Sequence, residues 1–162
     1  MNRLIISFFL FCLLSCSSNP ENTTISEDQA ISVLKGFFNS IDIDNLGNKL
    51  VYDYVTKDFV IYEIGEKYDL PSFLALIKTH FKKGYISTDW SLYDFKVSID
   101  NNTAHISYFN KGKFVFIENG LKKEENMLWM ESVYMKYEEK KLKLSFLQSD
   151  DISREIIESK NN

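Results

Sequence analysis

Tyr108, Glu131 and Gln148 are the residues of this chain whose types and spacing are suited to chemistry. They lie on three β-patterned segments, and the turns between those segments bring them opposite one another. A two-residue turn at Asn119-Gly120 sets Tyr108 against Glu131 and Asn110 against Trp129. A charged turn over Glu138–Lys141 sets Glu131 against Gln148, and one at Asn101-Asn102 sets Tyr93 against Asn110. The expected pocket is therefore Tyr93, Tyr108, Asn110, Trp129, Glu131 and Gln148, gathered at one end of an otherwise apolar sheet face. A carboxyl facing such an interior needs hydrogen-bond donors or a raised pKa. The Tyr108 hydroxyl and the Gln148 amide are suitable donors. Glu131 could then orient a ligand at the rim of a cleft or brace the sheet. Alternatively, Glu131 and Tyr108 could serve as an acid/base pair. A single carboxyl and tyrosine occur in many clefts, so a non-catalytic role, binding a small ligand or serving as an accessory subunit, is the leading expectation and catalysis the alternative.

The remaining chemistry-bearing residues are sparse. His80 sits near the end of a predicted helix, where a histidine favours the helix dipole, and it is expected to point inward. His105 falls on the opposite sheet face from Glu131. Two distant histidines and no paired carboxylates at ligand spacing argue against a metal site. There is no glycine-rich phosphate loop, no G-x-S-x-G elbow and no H-E-x-x-H, and no cofactor is expected. A formal net charge of −4 without a basic block argues against nucleic acid as a partner.

Helices must close one face of that sheet. Ser26-Glu27-Asp28-Gln29 reads as a capping box. Behind it Ala30, Val33, Leu34, Phe37, Phe38 and Ile41 follow the spacing of a helix with one buried face. Asp44 or Asn45 is placed to cap a short second helix carrying Leu46, Leu50, Val51 and Tyr54. Phe59–Ile64 reads as a strand with a turn at Gly65-Glu66. Pro71 opens a third helix, with Phe73, Leu74, Ile77 and Phe81 as its stripe and Gly84 at its end.

From Asp89 the apolar period becomes two, giving four long antiparallel strands at about 89–100, 103–117, 121–137 and 141–149. The three turns place Ile99, Ala104, Ile106, Val133, Met135, Leu144 and Phe146 on one face. The other face is mostly polar, with Leu92, Phe109, Leu128, Met130, Tyr134 and Leu147 scattered through it. Those residues suit either a homodimer or scaffold patch or a half-wetted surface. Residues 151–162 read as a frayed tail, with Ile152, Ile156 and Ile157 able to dock as a short turn.

The first residues carry a different message. Arg3 precedes the uncharged run Leu4–Leu14, which is too short to span a bilayer, and Ser15-Cys16 follows. Leu13-Leu14-Ser15-Cys16 resembles the lipobox of bacterial lipoproteins. The resemblance implies cleavage before Cys16 and a lipid anchor on its thiol, with the protein held at the bacterial cell envelope, at the outer membrane facing periplasm or surface. Cleavage removes Cys12 and leaves Cys16 as the sole cysteine, excluding disulfides. The expected organisation is a signal peptide over 1–15, a polar tether over 16–25, a domain over 26–150 and the tail. Within the tether the eight residues Ser17–Thr24 reach at most ~28 Å, which keeps the domain near the membrane.

Helix, short helix, strand pair, helix and four long strands together resemble the nuclear transport factor 2-like fold, which includes ketosteroid isomerases and SnoaL-like cyclases. Asp58-Phe59-Val60-Ile61-Tyr62-Glu63-Ile64-Gly65 is similar to a segment of the SnoaL-like branch. Leu142-Lys143-Leu144 and Gln148-Ser149 stand where that branch has tryptophan-lysine-isoleucine and histidine-serine. The resemblance covers about Ser26 to Ser149. It implies an α+β cone, with N-terminal helices packed on a curved antiparallel sheet and a small, partly apolar ligand in the open end. Leu142 and Gln148 depart from the usual tryptophan and histidine, so no histidine-based proton transfer carries over. Nor do the isomerases' catalytic residues occur at matching places.

Overall fold

The computed structural model describes residues 24–81 and 84–158. The signal segment, Cys16 and most of the tether lie outside the described residues. The domain begins earlier than the tether reading implies, because Ile25 is buried in the core.

Helix α1 (Glu27–Ser40) starts at Ser26, whose Oγ accepts a hydrogen bond from the Gln29 amide at 3.1 Å. The reciprocal half of the capping box is absent: Gln29 Nε2 donates instead to Tyr137 Oη at 3.3 Å, tying the helix start to the sheet. Ala30, Leu34, Phe37 and Phe38 are buried along one stripe. The short second helix reduces to a single 3₁₀ turn at Leu50–Asp53. Neither Asp44 nor Asn45 caps it: Lys49 precedes the turn, and in the loop before it Asp42 Oδ1 accepts from the Asp44 amide while Asn45 Nδ2 donates to the Asn39 carbonyl.

Strands β1 (Val55–Glu63) and β2 (Glu66–Asp69) form a hairpin through Ile64-Gly65, both with positive φ. Helix α2 (Leu70–Phe81) follows directly, with Asp69 Oδ1 accepting from the Ser72 amide at 2.9 Å. Then come β3 (Tyr85–Asp100), β4 (Thr103–Glu118), β5 (Leu121–Glu138) and β6 (Lys141–Glu158). The six strands form one curved sheet in the order β2-β1-β6-β5-β4-β3. All neighbours are antiparallel except β1 and β6, so the expected curved antiparallel sheet is found with one parallel seam. The parallel pairing is possible because α2 and four strands separate β1 from β6 in sequence.

The core lies between α1 and the concave face. Leu34, Phe37 and Ile41 meet Ile61, Ile106, Val133, Met135, Leu144 and Leu147, all essentially inaccessible to solvent. Each such aliphatic or aromatic side chain contributes roughly 1.5–3 kcal/mol by leaving water.

The β4–β5 register follows the turn-based expectation along its full length: Ala104 faces Met135, Ile106 faces Val133, Tyr108 faces Glu131 and Asn110 faces Trp129. Two neighbouring registers slip. In β3 a bulge at Asp94-Phe95, with Asp94 at φ 54°, places Leu92 opposite Asn110 and turns Tyr93 to the convex face. Tyr93 stacks there on Phe109, ring centres 5.7 Å apart. In β6 an extra residue at Ser145 brings Leu147 and Ser149 inward and turns Phe146 and Gln148 outward. One added residue reverses every later side chain, because strand side chains alternate.

The expected tail is also corrected. Strand β6 bulges once more at Ile152 and then runs to Glu158, pairing with β5 from Leu128 back to Lys123.

Candidate functional site

The open end of the cone encloses a cavity of about 200 Å³. Strand pairing builds its polar wall as one row across four strands. Glu63 of β1 pairs with Ser149 of β6, Ser149 pairs with Glu131 of β5, and Glu131 pairs with Tyr108 of β4. Helix α1 contributes Phe37, Phe38 and Ile41 to the cavity, and α2 contributes Phe73, Leu76, Ile77, His80 and Phe81. The helices therefore supply an almost wholly apolar lid over a sheet that keeps two carboxyls.

Glu131 is 6% exposed, and Asn110 Nδ2 donates to its Oε2 at 3.2 Å. Burial pushes its pKa up to about 8, opposed by Tyr108 and reinforced by the charge of Glu63. Ser149 and Asn110 also favour the ionised form. Glu63 is half-buried and rises to about 7, again mainly from burial, with Ser149 pulling it down and Asp151 pushing it up. Burial, together with the neighbouring Glu131, drives the Tyr108 hydroxyl well above its ordinary value of 10.0. Tyr108 is thus a neutral hydroxyl at every physiological pH. It and Ser149 lie close enough to influence Glu131, yet Tyr108 Oη and Ser149 Oγ lack well-formed hydrogen bonds among the described residues.

Tryptophans cover the next stretch of the same concave face, Trp129 lying two residues before Glu131 on β5 and Trp90 on β3. Trp90 and Trp129 lie with ring centres 5.9 Å apart, and Phe114 meets both edge-on. Gly112 makes this packing possible: a Cβ there would fall 2.6 Å from both Trp129 Cζ3 and Phe114 Cε2. Both indole N–H groups are buried without a hydrogen-bond partner among the described residues. At the mouth, Tyr85 Oη donates to Glu125 Oε2 at 2.5 Å, and Arg154 Nε lies 3.6 Å from Glu125 Oε1.

Of the six expected pocket residues, Trp129 and Glu131 line the cavity. Tyr108 and Asn110 are buried in the same sheet face, beside Glu131. Tyr93 and Gln148 lie on the convex face, for the bulge reasons given above. His80 does line the cavity, its ring 5.7 Å from that of Tyr85, while His105 is exposed on the convex face. Sequence reasoning missed Glu63, Ser149, Trp90 and Arg154. Glu63 was accessible to it, since Phe59, Ile61 and Glu63 alternate along one strand face. Ser149 and Arg154 depend on the two bulges in β6. Among the described residues no group of three His, Cys, Asp or Glu side chains is arranged to hold a metal ion.

No family model matches the chain, and no curated protein matches it in sequence. Solved structures do match in shape. A protein from Kribbella flavida superposes with a TM-score of 0.64 at 13% identity, covering 79% of this chain and 91% of that one. A type 2 hexachlorocyclohexane dehydrochlorinase gives 0.63 at 10% identity, covering 79% and 88%. An NTF2-like protein from Cytophaga hutchinsonii gives 0.56 at 14% identity, covering 79% of this chain and all of the other. The chain therefore has the nuclear transport factor 2-like α+β fold, and identities this low carry the fold alone.

Proposed function

We propose that this chain is a lipoprotein of the bacterial cell envelope, anchored through Cys16, whose cone binds a small and largely apolar molecule. The cavity carries the binding reading. Its walls are aromatic and aliphatic, yet Glu131, Ser149 and two indole N–H groups meet it or lie at its edge without a full set of partners. Small-molecule sites combine an apolar enclosure with a few convergent polar groups in this way. Anchoring is supported by the order of Arg3, the apolar run, Ser15 and Cys16.

Ligand-observed NMR against a panel of one-ring apolar fragments tests the binding reading, with competition among binders and their loss on Trp129→Ala as the expected result. A panel with no binder at any position overturns it. The intact mass of protein recovered from membranes tests the anchor, and an unmodified Cys16 refutes it.

A second reading, acid/base catalysis of isomerase or cyclase type, is favoured by one observation. Glu131 and Glu63 both sit near neutral pKa beside a neutral tyrosine, a combination able to take and return a proton. Turnover separates the two: a bound molecule that is converted, with conversion abolished by Glu131→Gln, supports catalysis, and a molecule that binds and is never converted supports binding alone.

A further inference from the structure

The cavity joins two features that an apolar ligand alone does not require: a pair of carboxyls and a wall of aromatic faces. Glu63 and Glu131 are separated in their row only by Ser149. Ser149 is 3% exposed, lines the cavity, and has one hydroxyl proton with which to serve two carboxylates. Its Oγ has no well-formed partner among the described residues. Arg154 compensates the pair only in part: its charge favours ionised Glu63, but it does not figure among the groups acting on Glu131. It is 41% exposed at the mouth, 3.6 Å from Glu125 and 3.4 Å from Asp151, so acidic partners already hold it. Asp150 and Asp151 add negative charge near Glu63.

We propose that the ligand is an organic cation, a primary or secondary amine on an apolar body, with its nitrogen between Glu63 and Glu131 and its body against Trp90 and Trp129. This rests on the binding reading above. An ammonium supplies positive charge between the two carboxyls, which Arg154 at the mouth provides only to Glu63, and the donors that Ser149 cannot provide twice. Aromatic faces attract the polarised carbons beside the nitrogen, and indole does so best. A carboxylate ligand would meet like charge, and a neutral alcohol would leave the two acids facing each other. Size also limits the body. An apolar cavity of roughly 150 Å³ holds benzene, so about 200 Å³ suits a single ring with a short chain.

The test uses three isosteric probes, 2-phenylethylamine, 2-phenylethanol and phenylacetate, titrated into the full-length protein by ligand-observed NMR. The amine is expected to bind about ten-fold or more tightly than the alcohol, with phenylacetate not binding. Glu63→Gln and Glu131→Gln should each weaken the amine about ten-fold and leave the alcohol within about two-fold. Should Glu131→Gln fail to fold, the half-buried Glu63→Gln carries the comparison. Equal binding of alcohol and amine, or preference for phenylacetate, overturns the amine class and leaves the binding reading intact. Silence of the three probes while other neutral fragments bind does the same. Silence of the entire fragment panel overturns the binding reading and this inference with it.

Discussion

Glu63 and Glu131 flank Ser149 in a single row across β1, β6 and β5, and the charge of Glu63 raises the pKa of Glu131. Two acids placed this way inside an apolar cone oppose folding whenever they are ionised. Their presence at the wall of a cavity, and not at the wet convex face, points to use.

Stability should fall as pH rises. Glu131 moves from an ordinary 4.5 to about 8 on folding, so between those values the folded state holds a proton that the unfolded chain releases. Its stabilisation is complete below the lower value and is lost as pH climbs through the upper one. Glu63, raised to about 7, adds to the same trend. The combined decline should be on the order of a few kcal/mol between about pH 5 and about pH 9. Denaturant unfolding across that range measures it, and Glu131→Gln should flatten the slope. A stability that increases over this window would contradict the assignment.

Tyr108→Phe should cost little. The hydroxyl is buried without a well-formed partner, so removing it forfeits no complete hydrogen bond. We expect stability within about 1 kcal/mol of the parent. Because Tyr108 favours the ionised Glu131, the variant should raise the Glu131 pKa further, observable by carboxyl NMR titration. A large loss of stability would show that the hydroxyl makes a full hydrogen bond, and an unchanged titration would show that it does not act on Glu131.

Gly112→Ala should disturb the tryptophan wall from below. The added methyl meets Trp129 and Phe114 ring carbons at 2.6 Å, too close for either ring to remain in place. Overpacking of this kind costs about 1–3 kcal/mol. The expected signature is a shifted tryptophan emission with a lowered melting temperature. Fragment affinity should fall in parallel.

The last strand should behave as part of the domain. Residues 153–158 pair with β5, so their paired amides should be protected in hydrogen exchange, while a frayed segment would exchange at once. Ending the chain at Asp150 removes Arg154 and uncovers the edge of β5 beside Met127 and Trp129. Truncation should lower the melting temperature and weaken fragment binding. Free exchange across the segment, or a truncated protein as stable as the parent, refutes this role.

How much of this was legible depended on distance from a turn. Ser26 with Gln29 and the Ala30–Ile41 stripe marked α1 because capping and helical periodicity are local properties. Asn119-Gly120 set the β4–β5 pairing for its full length, so the Tyr108–Glu131 and Asn110–Trp129 pairs could be read from residue order. Leading polar residues of the cavity were thus visible before any coordinates. Tyr93 and Gln148 were misplaced because each lies beyond a bulge, where counting from the turn no longer holds.

By itself, then, the sequence determined the helix stripe, the hairpin turns and the β4–β5 register. Only the tertiary structure decided that β1 joins β6, that Asp94, Ser145 and Ile152 interrupt their ladders, and that Ser149 consequently stands between Glu63 and Glu131. The physical reason is range. Turn and helix preferences act over a few residues, whereas a bulge is selected by how a curved sheet packs its partners and covering helices. A one-residue slip then chooses which side chains face the cavity.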